Sequence, residues 1–219
     1  MKILTLSGWT QPPDALLSIA PNAEAFDYIE HSPESLHQHR ESYDLVIGWS
    51  LGGVLARQML ISGAISADAF VSIAAPYQFV RDAHCHDAMP PDTFAQFYAN
   101  FEMDSARTAK RFSGLLAKGD VRAKAIVAEM SHHPRLHETA HWLRWLGFLD
   151  DYSARHHDYS SLPKTLIIHG AQDAIIPVAQ APKLAEKLGA QLHMLPDAGH
   201  APHLHDAPEV QRAIKAFVA

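Results

Sequence analysis

The stretch that most constrains this chain is Asp44-Leu45-Val46-Ile47-Gly48-Trp49-Ser50-Leu51-Gly52-Gly53. An apolar run of strand type ends in Gly-x-Ser-x-Gly, and a helical pattern follows at once. Such a strand-to-helix turn lifts a serine hydroxyl above a sheet. Gly48 and Gly52 leave room for strand and helix to close tightly, and the turn residue itself is strained. The helix after the turn points its free N–H groups at Ser50, where they face any developing negative charge. The bare pattern is short and arises by chance in loops. Here the strand before it and the helix after it supply the context it requires.

Around this turn the chain alternates. Residues 2–7, 25–29, 44–49, 67–74, 164–169 and 191–195 read as strands. A helix start at Ser32-Pro33 is expected to run to about Ser42, and 51–61, 178–188 and 208–218 read as helices. Six strands alternating with helices imply an α/β architecture: a mainly parallel sheet covered on both faces. A length of 219 residues suits one domain. The alternation breaks from about residue 90 to 152, where 91–103, 105–118, 120–131 and 137–152 are all helical in pattern. The simplest account is a helical cap over the strand ends, inserted at about 80–158. Phe94, Phe97, Tyr98 and Phe101 fall at helical spacing within it and read mainly as packing.

Composition removes other classes. There is no apolar run of bilayer length, and a net charge of −6 argues against general nucleic-acid binding. The start, Met1-Lys2-Ile3-Leu4-Thr5-Leu6, is strand-like rather than a signal peptide, which predicts a cytoplasmic protein. A single cysteine, Cys85, fits a reducing compartment. Most of the 16 histidines, among them His37, His39, His84 and His86, are scattered and read as surface residues, and none of these pairs has zinc spacing, so no metal is expected.

A serine hydroxyl is a poor nucleophile near neutral pH and needs a base, itself oriented by a third group. His169-Gly170-Ala171-Gln172-Asp173 places Asp173 in the loop after one strand, and Asp197-Ala198-Gly199-His200 places His200 after the next. Catalytic groups in such sheets gather beyond the carboxyl ends of the strands. Asp150 and Asp151 are competing carboxylates, but they sit in the helical insertion; Asp197 reads as a turn residue, and His203 and His205 as solvated. An oxyanion hole needs two backbone N–H groups. Leu51, after the serine, and Trp9, in the loop after the first strand, are the candidates; the Trp9 indole either lines an acyl pocket or is simply a packing residue.

With Ser50, Asp173 and His200 in that order, the chain resembles the α/β-hydrolases. More narrowly it is similar to the pimeloyl-acyl-carrier-protein methyl ester esterases of biotin synthesis. The likeness rests on Gly48-Trp49-Ser50-Leu51-Gly52-Gly53, on His169-Gly170 through Asp173 and Pro177, and on Gly199-His200-Ala201-Pro202. In the cap, Phe101, Asp104 and Arg107-Thr108-Ala109-Lys110-Arg111-Phe112 also resemble that family. The resemblance implies a carboxylesterase without a cofactor, acting on a small acyl ester held on an acyl carrier protein. It implies that Arg107, Arg111 and Arg122 meet the carrier-bound substrate and that Phe112 lines the acyl channel. Two departures stand out. Ser7-Gly8-Trp9 replaces the usual His-Gly-Trp, and the chain starts directly at what is normally the third strand, so a smaller sheet of six is expected.

Charge fits the implied partner. Residues 105–128 carry six basic side chains (Arg107, Lys110, Arg111, Lys118, Arg122 and Lys124) against one acidic, Asp120, a local charge of +5 in an acidic chain. A positive patch suits an acidic carrier, although the same charges suit an ordinary solvated helix face. A hydrolase of free esters, thioesters or lactones would share the same triad and differ only in its pocket and cap. A non-enzymatic binding protein on the same fold is the reading from another class. The chain is read as a monomer with neither nucleic-acid nor membrane partners.

Overall fold

The computed structural model describes residues 1–38 and 40–219. It contains β1 (Ile3–Leu6), β2 (Glu24–Ala25), β3 (Glu41–Trp49), α1 (Leu51–Ile61) and β4 (Ile65–Ile73). Four helices then follow in succession: α2 (Pro91–Met103), α3 (Ser105–Leu116), α4 (Ala123–Glu129) and α5 (Thr139–Asp150). The chain closes with β5 (Lys164–Gly170), α6 (Gln180–Leu188), β6 (Gln191–Leu195), α7 (Pro202–His205) and α8 (Ala207–Val218).

The strands form one six-stranded parallel sheet in the order β2-β1-β3-β4-β5-β6. Parallel strands are buried on both faces. Accordingly Val46 and Ile47 of β3, Phe70 and Val71 of β4, and Ile167 and Ile168 of β5 are all sealed from solvent. Because every strand runs the same way, the loops bearing Trp9, Ser50, Asp173 and His200 all leave the same edge of the sheet.

The boundaries shift where pairing overrides local pattern. β3 begins at Glu41 because Glu41, Ser42 and Tyr43 pair with Ile65, Ser66 and Ala67. This shortens the helix expected from Pro33 to a 3-10 turn, Pro33–Gln38. At the sheet edge β2 is only two residues, and the rest of the expected strand becomes a 3-10 turn, Tyr28–Glu30, capped by the Asp27 carboxylate accepting from the Ile29 N–H. His84 and His86 are exposed as expected, whereas His39 and the side chain of His37 lie outside the described residues. Among the described residues no helix is long and apolar enough to cross a membrane.

The insertion holds together for reasons visible in its sequence. Pro91 opens α2 and the Asp104 side chain caps α3 by accepting from the Arg107 N–H. Trp142, Trp145, Leu146 and Leu149 recur at helical spacing on α5 and turn inward. The Trp142 carbonyl accepts from the Trp9 indole N–H at 3.0 Å, tying the insertion to the loop after β1.

Candidate active site

The turn at Ser50 is as tight as its glycines require. Ser50 has φ 56° and ψ −118°, a strained conformation for a residue with a Cβ. A Cβ on Gly52 would lie 2.0 Å from the Leu6 carbonyl oxygen, and one on Gly48 would lie 2.5 Å from that of Gly52. No larger residue fits, so the α1 N-terminus presses directly on the end of β1.

The structure brings Ser50, His200 and Asp173 together. Ser50 Oγ lies 2.9 Å from His200 Nε2, and His200 Nδ1 lies 2.7 Å from Asp173 Oδ2. A carboxylate accepts, so Nδ1 carries a proton and Nε2 is left to accept from the serine hydroxyl. The other Asp173 oxygen accepts from the N–H groups of Ile175 and Ile176, at 2.8 and 2.9 Å. His169 also comes within 3.5 Å of Asp173, but its Nε2 is nearer the Ile176 carbonyl, at 3.1 Å. Burial pushes the His169 imidazole below its ordinary pKa, so the ring is neutral and donates to that carbonyl. The second Asp173 oxygen is thereby left to His200. Asp150 and Asp151 lie exposed at the end of α5.

The backbone N–H groups of Trp9 and Leu51 find no hydrogen-bond acceptor among the described residues. Ser7, standing where a histidine was expected, steadies this loop through its backbone. Its carbonyl accepts from the Tyr28 hydroxyl at 2.6 Å and the Gly52 N–H at 3.1 Å, while its hydroxyl donates to Gln11 O at 3.3 Å. The Trp9 ring is buried against Phe97, Phe101 and Phe112. Trp9, Phe97 and Phe112 line an apolar cavity of about 80 Å³ that opens on Ser50 and is closed by Leu146, Leu149 and Ile175. None of its lining residues carries a charge. A larger cavity of about 510 Å³, between Tyr77, Cys85 and Lys183, holds none of these groups.

Of the three arginines, Arg107 and Arg111 are exposed on α3, and their guanidinium groups have no partner among the described residues. Arg122 differs. Its guanidinium donates to the carbonyls of Leu204 and His205 and lies 3.7 Å from Glu129.

Three features escape the sequence reading. The Trp49 indole N–H donates to the His200 carbonyl at 2.8 Å and holds the histidine loop. A tryptophan directly before the serine was the available signal. His205, read as solvated, turns its Nδ1 to Asp120 at 2.9 Å. His203, also read as solvated, is fully buried with its ring 4.5 Å from that of Trp49. The α7 turn, four residues long, points it inward.

Burial without a hydrogen bond to either ring nitrogen holds the His203 pKa down to about 3. In the unfolded chain a histidine titrates near ~6.5. Below that pH the unfolded state binds the extra proton, so stability falls as pH drops from about 6.5 toward 3. Between pH 7 and pH 5 this group alone should remove about 2 kcal/mol of unfolding free energy. His203→Phe is expected to lose that increment, and denaturant unfolding of both proteins at the two pH values measures it. An equal pH dependence in the two would show that His203 is not buried neutral.

Comparison with known proteins places these features in a group. The profile of the alpha/beta hydrolase family matches residues 4–213. The biotin biosynthesis bifunctional protein BioHC of Cellvibrio japonicus is 28% identical over 174 residues, covering 79% of this chain and 35% of that protein. The pimeloyl-[acyl-carrier protein] methyl ester esterase of Xanthomonas campestris pv. campestris is 30% identical over 177 residues, covering 79% of this chain and 70% of that protein. The chain thus spans about a third of the length of the bifunctional relatives it matches. Among solved structures, an esterase from Exiguobacterium antarcticum superimposes with a TM-score of 0.74 at 17% identity, covering 100% of this chain and 92% of that one. A hydrolase from Oleispira antarctica gives 0.76 at 13% identity, covering 100% and 91%. At those identities the two structures show the shared fold.

Proposed function

The chain belongs to the alpha/beta hydrolase family, and on that premise we propose that it is a serine carboxylesterase cleaving the methyl ester of an acyl chain held on an acyl carrier protein, the pimeloyl ester of biotin synthesis. The observation that carries the esterase reading is the line from Ser50 Oγ to His200 Nε2, 2.9 Å, and from His200 Nδ1 to Asp173, 2.7 Å, at the mouth of an apolar cavity.

Ser50 Oγ attacks the ester carbonyl as its proton passes to His200 Nε2. The carbonyl oxygen becomes an oxyanion and turns to the Trp9 and Leu51 N–H groups, at the N-terminus of α1. His200 then gives the proton to the departing alkoxide, methanol leaves, and an acyl-Ser50 ester remains. Water, deprotonated by the same nitrogen, repeats the sequence and releases the acid. Asp173 keeps the ring in the required tautomer throughout.

The cavity suits a neutral acyl chain, because a carboxylate within it would find no cation. At about 80 Å³ it is small beside the ~300–1,000 Å³ typical of ligand pockets. A long chain therefore enters as the helices between β4 and β5 part, and these helices serve as the cap of the domain. The carrier-bound form of the substrate is supported by the names of the relatives and by Arg107 and Arg111 on α3, exposed and without a partner among the described residues. Arg122 adds positive charge nearby, but its guanidinium is already occupied by carbonyls.

Reversing Arg107 and Arg111 to Glu together is expected to raise KM for the carrier-bound methyl ester by tenfold or more at low salt, on the order expected of two charge contacts. kcat on a matching free ester should be nearly unchanged, because the reacting groups stand on the sheet. The defect should narrow as salt rises and screening shortens to ~8 Å at physiological ionic strength. Steady-state kinetics on both esters at two salt concentrations checks this. Equal losses on both would mean the arginines only hold the cap in place, and no loss on either would remove the carrier from the proposal.

A further inference from the structure

The geometry points to Asp120 as a positioning residue for His200, acting from the loop between α3 and α4 as a brace for the two loops that carry the base and its carboxylate. This rests on the esterase reading above, and the test keeps the two apart.

Asp120 is the one acid in a basic stretch, yet its carboxylate is sealed from solvent and, among the described residues, pairs with none of the Lys or Arg side chains of that stretch. Its Oδ2 accepts from the Gly199 N–H at 2.8 Å, directly before His200. Its Oδ1 accepts from the Arg122 N–H at 2.7 Å, which closes the loop on itself. His205 Nδ1, five residues beyond His200, lies 2.9 and 3.0 Å from the two oxygens and donates to them. One carboxylate therefore clamps the chain on both sides of His200.

The neighbouring residues of the loop point the same way. The His200 N–H donates to the Leu116 carbonyl at 3.1 Å, and the Val121 N–H to that of Asp197 at 3.4 Å. Gly119 faces the other loop. It has φ 87°, and a Cβ there would lie 2.6 Å from the carbonyl oxygen of Gln172, the residue before Asp173. The wedge thus meets the chain immediately before His200 and immediately before Asp173. The two loops meet directly, through the Gln172 N–H donating to the Ala198 carbonyl at 2.9 Å and the Gln172 side chain donating to that of Pro196 at 3.0 Å. Asp120 adds the anchors beyond that contact, at Gly199 and His205 on either side of His200. A serine, base and carboxylate must hold their separations to a fraction of an ångström, and a displacement of 1 Å can cost about 10²-fold in rate.

The test uses the full chain and the variants Asp120→Ala and Asp120→Asn. On p-nitrophenyl acetate, too small to need the cap, Asp120→Ala is expected to lose about 10²-fold in kcat with KM little changed. Asp120→Asn keeps one accepting oxygen and should fall between the two. The His200 Nδ1–H proton resonance, which reads the bond to Asp173, should shift in both variants. Wild-type kcat in Asp120→Ala, or a loss confined to KM, would overturn the assignment. Should Asp120→Ala fail to fold, as judged by circular dichroism, the near-isosteric Asp120→Asn decides alone: a lower kcat at constant KM supports the brace and a wild-type kcat overturns it. Should the wild-type chain turn over no ester, the esterase reading is what fails. The resonance then still decides for the brace, since an unmoved His200 signal in the variants would refute it.

Discussion

Replacing Ser50 by Ala is expected to reduce kcat on any ester substrate by about 10⁴-fold or more while leaving the fold in place. The size of the loss follows from the chemistry. On the proposed mechanism no acyl-enzyme forms without Oγ, and what remains is water attack aided by binding and the Trp9 and Leu51 N–H groups. The fold should survive because, among the described residues, the hydroxyl has His200 Nε2 as its single partner. Alanine at φ 56° is strained to about the same degree as serine, so the turn gains no new penalty. Loss of one hydrogen bond is worth about 1 kcal/mol. The checks are kcat, thermal unfolding and mass-spectrometric labelling by a fluorophosphonate, which should modify the parent at Ser50 and leave the variant untouched. Substantial turnover by Ser50→Ala would assign the nucleophile elsewhere.

The three residues of that line are legible in the sequence because each stands just past a strand whose apolar run is plain. A parallel sheet delivers every such loop to the same end of its strands, and the order β3-β4-β5-β6 then sets Ser50, Asp173 and His200 close enough to meet. The four helices of the insertion are legible for a similar reason, since Phe94, Phe101, Trp142, Trp145 and Leu149 mark buried faces at helical spacing. What the sequence hides is decided by contacts between distant parts of the chain. Glu41 and Ser42 carry no strand signal and become strand only because β4 pairs with them. His203 and His205 are alike in type and two residues apart, yet one is buried against Trp49 and the other faces Asp120, 85 residues away. Asp120 itself looks like a lone acid on a basic face, and its burial appears only when the α3–α4 loop is set against the His200 loop. Position along a strand was informative; the environment of a polar residue in a loop was not.

Asp173→Asn is expected to lower kcat by about 10⁴-fold, although the substitution changes no shape. The reason lies in how the two oxygens are used. Oδ1 accepts from the Ile175 and Ile176 N–H groups, at 2.8 and 2.9 Å. An asparagine must leave its single carbonyl oxygen there, because turning its NH2 toward two N–H donors would set like against like in a buried site. The NH2 therefore lands where Oδ2 stood, 2.7 Å from His200 Nδ1. As a donor it forces Nδ1 to accept, and the proton of the neutral ring moves to Nε2. There it points at Ser50 Oγ, and the ring can no longer take the serine proton. Loss should fall on kcat rather than on KM, since Asp173 is absent from the residues lining the apolar cavity. It should ease at high pH, where hydroxide can stand in for the missing base. Asp173→Ala makes the comparison. It leaves the Ile175 and Ile176 N–H groups unsatisfied and should cost folding stability, whereas Asp173→Asn should unfold close to the parent. The measurement is kcat and KM against pH for both variants beside their denaturant unfolding curves. If Asp173→Asn kept most of its activity near neutral pH, the orienting carboxylate would have to be another residue, and the assignment of His200 as base would lose its support.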